Sequence, residues 1–242
     1  MTALVIARRF NGPADSANGG YACGTFAERA SGAHGPAVAV TLLEPPPLDT
    51  PLGFDPGERR SRVRQHDRLI ATVTAAARRP PALPPTSSPA VAAAEADFRG
   101  AAGHPFRSCF VCGVDRTPGD GLCLTPGRIP GAGPSVACRW TVEESVCDEG
   151  GEALPPILWA VLDCPGGWTA DPAREPMVLS RMSTWIDARP RCGDRCVVSA
   201  RQLRRDGRTA TNISALHTED GRLLASATAV WTAVRRPEGN PQ

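Results

Sequence analysis

The run RLIATVTA at residues 68–75 returns as RLLASATA at residues 222–229, and both copies continue into an Arg-Arg-Pro. An acidic turn precedes each copy, Asp67 in the first and Asp220-Gly221 in the second. Each copy alternates apolar with small polar side chains, as a half-buried strand does. A chain that closes both halves with the same strand is expected to be one unit duplicated and fused. Duplicated α+β units often build their functional site between the halves, so the repeat says where to look.

The turn chemistry divides the chain accordingly. Residues 1–77 read as a first unit: a short strand from Leu4 to Phe10, a turn through NGPADSANGG, an Ala-rich helix in YACGTFAERA capped by Asn18, the apolar strand AVAVTLLE, then short strands to Ala77. Residues 78–104 are rich in Pro, Ala and Ser and read as a linker, with room for a short helix around Val91 to Phe98. A second unit spans residues 105–235 and leaves a tail at 236–242. It offers a strand from Ser135 to Val142, a helix through ILWAVLDCPGGW, and long strands separated by Arg205-Asp206-Gly207 and Glu219-Asp220-Gly221, both strong hairpin signals.

Composition removes several classes of function. All 27 basic side chains are Arg, which excludes a Lys Schiff base and a Lys-bearing phosphate loop. Those arginines are dispersed against 25 acidic residues and a single Tyr, so nucleic acid is not an expected partner. No stretch approaches the ~20 apolar residues of a membrane span, and MTALVIARRF does not read as a signal peptide. An odd nine cysteines fits a cytoplasmic chain with reduced thiols.

Three motifs follow one another in order: NGGY at Asn18–Tyr21, CFVCGVDRTPGDGLCL at Cys109–Leu124, and LPPILWAVLDCPGGW at Leu154–Trp168. They resemble the helix opening, the Cys-x-x-Cys-Gly entry and the Asp-bearing helix of hotdog-fold acyl-CoA thioesterases. The resemblance implies an α+β double hotdog, with two central helices packed on one continuous antiparallel sheet. It implies hydrolysis of an acyl-CoA thioester without metal or organic cofactor, and it allows a homodimer formed through the outer surfaces. The thioesterase II branch also carries a Thr and a Gln on two later strands. Those positions fall near Leu179 and at Ala229 here, and Ser180, Ser183 and Thr228 are the nearby hydroxyls.

The residues carry a chemical logic of their own. A helix that begins with Gly19-Gly20 presents unhindered amides and the positive end of its dipole, a place for a developing oxyanion. Without a ligand, the same pair is simply a tight strand-to-helix turn. Asn18 either orients substrate or caps the helix. Asp163, in an apolar run, is the expected general base; its alternative is a helix-ending Asp before a loop at Cys164-Pro165-Gly166-Gly167. Tyr21, Trp159 and Trp168 are expected to contact substrate, against a plain packing role. The second helix opens Leu154-Pro155-Pro156, and proline has no N–H to donate, so the amides must come from the first unit.

Other sets compete. His104, Cys109, Cys112 and Cys123 have zinc-compatible spacing, or form a Cys-rich turn. Arg59, Arg60, Arg62 and Arg64 either meet phosphates or solvate a strand edge. A hotdog hydratase would need a converging Asp and His, which the first helix lacks. A non-catalytic acyl-CoA or acyl-carrier binding protein on the same fold is the main alternative, because the Thr and Gln positions carry other residues.

Overall fold

The computed structural model describes residues 3–34, 37–172 and 174–234. The elements run α1 (Gly19–His34), β1 (Val38–Leu42), β2 (Gly53–Asp55), β3 (Ser61–Gln65), β4 (Arg68–Ala75), α2 (Ser88–Ala96), α3 (Gly100–Gly103), β5 (Gly127–Arg128), β6 (Ser135–Thr141), α4 (Pro155–Trp168), β7 (Met177–Ile186), β8 (Arg195–Asp206), β9 (Thr209–Thr218) and β10 (Leu223–Ala233). All ten strands form one antiparallel sheet in the order β2-β3-β4-β1-β7-β10-β9-β8-β6-β5.

The halves join between β1 and β7, where Val38 faces Thr184 and Thr41 faces Arg181. Counting outward from that seam, β1, β4, β3 and β2 are matched by β7, β10, β9 and β8. The repeated strands β4 and β10 therefore hold equivalent places, each one strand from the seam. Short turns make this possible: Gly207 and Gly221 adopt left-handed φ of 53° and 89° at the two hairpins the sequence marks.

Helices α1 and α4 pack on each other and on one face of the sheet. Two glycines set how closely they meet. A Cβ on Gly20 would lie 2.4 Å from Asp163 Cβ and 2.6 Å from the Trp159 carbonyl oxygen; one on Gly24 would lie 2.6 Å from Pro156 Cα. The early turns of α1 thus run against the direction of α4, backbone nearly on backbone. Phe26, Ile157, Leu158, Leu162, Met182, Leu216 and Leu224 fill the space between helices and sheet.

The other face of the sheet is covered by the Pro/Ala-rich stretch. Val91 and Ala94 of α2 pack on Ala137 and Val197, the strand positions that alternate with core-facing Val136 and Val198. Glu95 accepts from the Arg139 backbone N–H at 2.7 Å and pairs with its guanidinium. Leu83 sits on Ile213 and Ala215. The strand expected from Leu4 to Phe10 is absent. Leu4 makes one isolated bridge to Leu52, and residues 8–10 form a 3-10 turn. Asp49 takes the Arg8 N–H and guanidinium, while the Arg9 guanidinium donates to the Gly119 and Asp120 carbonyls. Those side-chain bonds hold the segment away from a ladder. Among the described residues no helix is long and apolar enough to cross a membrane.

Candidate functional site

The start of α1 and the second half of α4 meet at a buried carboxyl. Asn18 Oδ1 accepts the Tyr21 N–H at 2.9 Å, so Asn18 caps α1 and leaves the amides of Gly19 and Gly20 at its open end. The Gly20 N–H donates to Asp163 Oδ2 at 2.7 Å. Asp163 is only 1% exposed, and its Oδ1 has no partner. Burial pushes its pKa up to about 8; the Gly20 N–H and the nearby Asn18 side chain work the other way, and the neighbouring Cys109 adds to the rise. Desolvation wins because these contacts cannot replace the lost hydration of a carboxylate.

Asp163 does not end its helix. Helix α4 continues to Trp168 with Pro165 inside it, although proline lacks the N–H that helix continuation uses. Strand β9 supplies donors at this turn: Ser214 Oγ donates to the Leu162 carbonyl and Asn212 Nδ2 to the Gly166 carbonyl, both at 2.7 Å. The Trp231 ring closes on Gly167, where a Cβ would come within 2.8 Å of it. The helix read through ILWAVLDCPGGW therefore runs through Cys164–Gly167, where the alternative placed a loop, and buried polar residues of the adjacent strand hold it.

Beside this carboxyl lies a cavity of about 360 Å³, within the ~300–1,000 Å³ range of small-molecule sites. Asn18, Gly19, Asp163, Cys164 and Trp168 contribute to its wall, with Leu42, Met177, Val178 and Leu179 from the seam strands and Leu43 just after β1. Four of the seven residues singled out from sequence thus meet here. The other three do not. Gly20 gives its N–H to Asp163 and its bare Cα to the helix contact, so of the two foreseen glycines only Gly19 lines the cavity. Tyr21 turns outward from the site: its ring stacks on Phe10 at 3.9 Å, and burial lifts its pKa to about 12, keeping a neutral phenol. Trp159, 4% exposed, is wedged between the helices against Gly24.

Leu179 is on the cavity wall against Gly19, where an added Cβ would be 2.7 Å from its own, and Ala229 is buried in β10. Of the three nearby hydroxyls Ser180 reaches the wall; it donates to the Val230 carbonyl at 2.9 Å and accepts from Thr232 at 3.2 Å. Ser183 and Thr228 face each other across β7 and β10, off the cavity wall. The run Arg59, Arg60, Arg62 and Arg64 is likewise off the wall, and Arg64 pairs with Asp55.

No protein-family model matches the sequence, and no curated protein matches it. Solved structures do. The tesB protein of Mycobacterium avium subspecies paratuberculosis aligns over 92% of this chain and 89% of its own, at 16% identity and a TM-score of 0.60. A conserved protein with a hot dog fold from Alicyclobacillus acidocaldarius aligns over 95% and 91%, at 12% identity and a TM-score of 0.58. The chain has the double hotdog fold.

In a double hotdog the pseudo-symmetry brings a second helix start into an equivalent place. Here that start is Leu154-Pro155-Pro156, where Leu154 makes no side-chain cap and the two prolines bring no N–H. The position nine residues after the cap, Asp163 on α4, is Ala27 on α1. One composite site therefore keeps both its amide and its acid, each from a different half, and its mirror image keeps neither.

Sulfur forms the remaining wall. Cys109, Cys112 and Cys164 place their Sγ atoms within 4.8 Å of one another, with Cys109 3.8 Å from Cys164 and 3.9 Å from Cys112. N–H groups converge on them: Trp168 Nε1 on Cys112 at 3.4 Å, and Asn18 Nδ2 on Cys164 at 3.5 Å. The hydrogen bonds from its two cysteine neighbours hold Cys109 well below the usual thiol pKa. The set differs from the one spacing suggested. Cys123 sits elsewhere, half-buried, with its Sγ directed at the Gly121 carbonyl. Cys164 takes its place because α4 carries it to the same point as the Cys-x-x-Cys turn. Sequence spacing does not find it, since it lies 52 positions after Cys112.

Proposed function

We propose that the composite site hydrolyses an acyl thioester, with an acyl-CoA as the substrate class. The observation that carries this reading is Asp163: one carboxyl oxygen pinned by the Gly20 N–H, the other unpartnered, on the wall of a mostly apolar cavity at a helix N-terminus. In this reading the acyl chain lies among Leu42, Leu43, Val178 and Leu179, and the thioester carbonyl points to the Gly19 amide. Asp163 takes a proton from water as its oxygen attacks the carbonyl carbon. The oxyanion is stabilised by the Gly19 N–H and the α1 dipole. As the carbonyl reforms, the C–S bond breaks and Asp163 returns the proton to the leaving thiolate, giving acid and thiol. The likeness to the tesB protein supports the fold on which this reading rests.

A second reading has its own observation. Leu179 and Ala229 are apolar where the resembled family carries Thr and Gln, which favours a double hotdog that binds acyl-CoA or an acyl carrier without turnover. Thiol release from a panel of short, medium, branched and aromatic acyl-CoAs separates the two. Turnover that disappears in Asp163→Asn while calorimetric binding persists supports the hydrolase. Tight binding with no turnover in the unaltered chain would leave the binder.

A further inference from the structure

We propose that Cys109, Cys112 and Cys164 bind one zinc-class divalent cation as three thiolates, with the fourth coordination position supplied from the cavity. The inference is independent of the reaction assigned to Asp163.

The first support is distance. Tetrahedral Zn–S bonds of ~2.3 Å require sulfurs roughly 3.8 Å apart. The Cys109 sulfur is 3.8 Å and 3.9 Å from its two neighbours. Two of the three separations thus match a seated ion, and all three sulfurs lie within 4.8 Å of one another. The second support is the turn itself. Cys109 and Cys112 lie on a tight Cys-x-x-Cys-Gly turn closed by the Gly113 N–H on the Cys109 carbonyl at 2.9 Å. A Cβ on Gly113 would come within 2.5 Å of that oxygen, so only glycine fits.

The third support is side-chain donors. Trp168 Nε1 on Cys112 and Asn18 Nδ2 on Cys164 give two of the three sulfurs a buried N–H. His104 adds a third donor. Its Nδ1 accepts the Phe106 N–H at 3.0 Å, so in the neutral ring the proton resides on Nε2, which lies 3.3 Å from Cys112 Sγ. A histidine that binds a metal through Nε2 must instead keep its proton on Nδ1 and donate it. His104 is therefore placed as a donor to the thiolate and not as the fourth ligand. All three sulfurs border the cavity, so water or a ligand atom completes the shell from that side. Three protein ligands with one open position is the arrangement of reactive zinc sites. Binding displaces the thiol protons to solvent and involves no change in oxidation state.

The test uses the full chain, reduced, stripped with chelator and titrated with Zn²⁺ and then Co²⁺. One equivalent should bind, and the Co²⁺ form should show intense thiolate-to-metal charge-transfer absorption. X-ray absorption of the Zn²⁺ form should give three sulfurs at ~2.3 Å and one lighter ligand without an imidazole signature. Cys109→Ser, Cys112→Ser and Cys164→Ser should each lose stoichiometric binding, and Cys123→Ser and Cys192→Ser should keep it. If the serine variants fail to fold, the sulfur count on the unaltered chain decides alone. The proposal is overturned by no binding to the reduced chain, by an imidazole in the shell, or by loss in Cys123→Ser with retention in Cys164→Ser. A chain isolated lighter by two hydrogens, with the disulfide mapped to this trio, would overturn it as well. None of these readouts uses a thioester, so failure here and failure of the hydrolase reading are separate results.

Discussion

The two central helices begin in equivalent places in a duplicated fold, and they have opposite chemistry at those starts. Helix α1 opens with a capping Asn and two glycines; α4 opens with Leu and two prolines. Both solutions satisfy a helix N-terminus, one by supplying an acceptor for an orphan N–H and the other by removing the orphans. Only the first leaves an amide for a ligand. The acid is distributed the other way, on α4 as Asp163 and absent on α1, where Ala27 stands. Because the helices run antiparallel, the amide end of α1 meets the acid-bearing half of α4, and in the proposed reading the asymmetry concentrates one site in a molecule with room for two.

The largest effect should come from removing the acid from the surviving site. Asp163→Asn preserves shape and can still accept from the Gly20 N–H, so folding should persist. Loss of a general base lowers turnover by roughly 10²–10⁴-fold. Acyl-CoA kinetics and calorimetry on the same preparations check this. Rates within tenfold of the unaltered chain would show that the two helix starts do not differ in the way argued. Next comes the helix contact. Gly20→Ala places a methyl 2.4 Å from Asp163 Cβ and against the Trp159 carbonyl, and overpacking of this kind costs about 1–3 kcal/mol or more. Denaturant melts should show it, whereas Ala27→Gly at the mirror acid position should cost only the ~1 kcal/mol of a helical glycine.

How much of this was legible from sequence depends on whether the signal was local. The repeat between residues 68–75 and 222–229 pointed to two units, and the hairpin glycines at 207 and 221 sit where turn chemistry put them. Asn18 and Asp163 stood out as candidates because a capping side chain and an acid in an apolar run are anomalies in their own neighbourhoods, and the structure brings the two residues to one cavity. What was not legible required two distant segments to meet. Cys164 joins Cys109 and Cys112 only because α4 packs beside the Cys-x-x-Cys turn, so spacing favoured Cys123 instead. Gly20 was read as a ligand amide when its N–H is committed to Asp163 across the helix pair. The helix through Pro165 was read from the sequence, but what supports it there was hidden, because Ser214 and Asn212 reach it from another strand.

The acid should also make the comparison visible against pH in metal-free protein. The folded pKa of Asp163, about 8, lies above the ~3.9 of an unfolded Asp, so the native state holds a proton that the unfolded state releases. Stability from this group is fully present below the unfolded value and is lost as pH rises toward 8, by at most on the order of 5 kcal/mol. Activity should move the opposite way, since only the ionised base accepts a proton: kcat/KM should rise about tenfold per unit and level off above pH 8. Cys109 and Cys23 flank the carboxyl and neither supplies a positive charge to reverse this sign. Chemical denaturation between pH 5 and pH 8, below the titration of the unfolded thiols, should give a slope that Asp163→Asn changes; an unchanged slope would relocate the titrating group.

The smallest effect separates the caps themselves. Asn18→Ala removes the acceptor for the Tyr21 N–H and the donor to Cys164, and a lost N-cap costs about 1 kcal/mol. Pro155→Ala, at the first position of α4, restores an N–H at a site where the helix never used one, and the change should stay within about 0.5 kcal/mol. Neither variant should create activity at the mirror position, because an amide without an acid opposite it lacks half of the site. Gain of turnover in Pro155→Ala would mean that the second start was blocked only by its prolines. Its absence, with the stability difference between the two variants intact, would mean that the duplicated helix has been given over to packing.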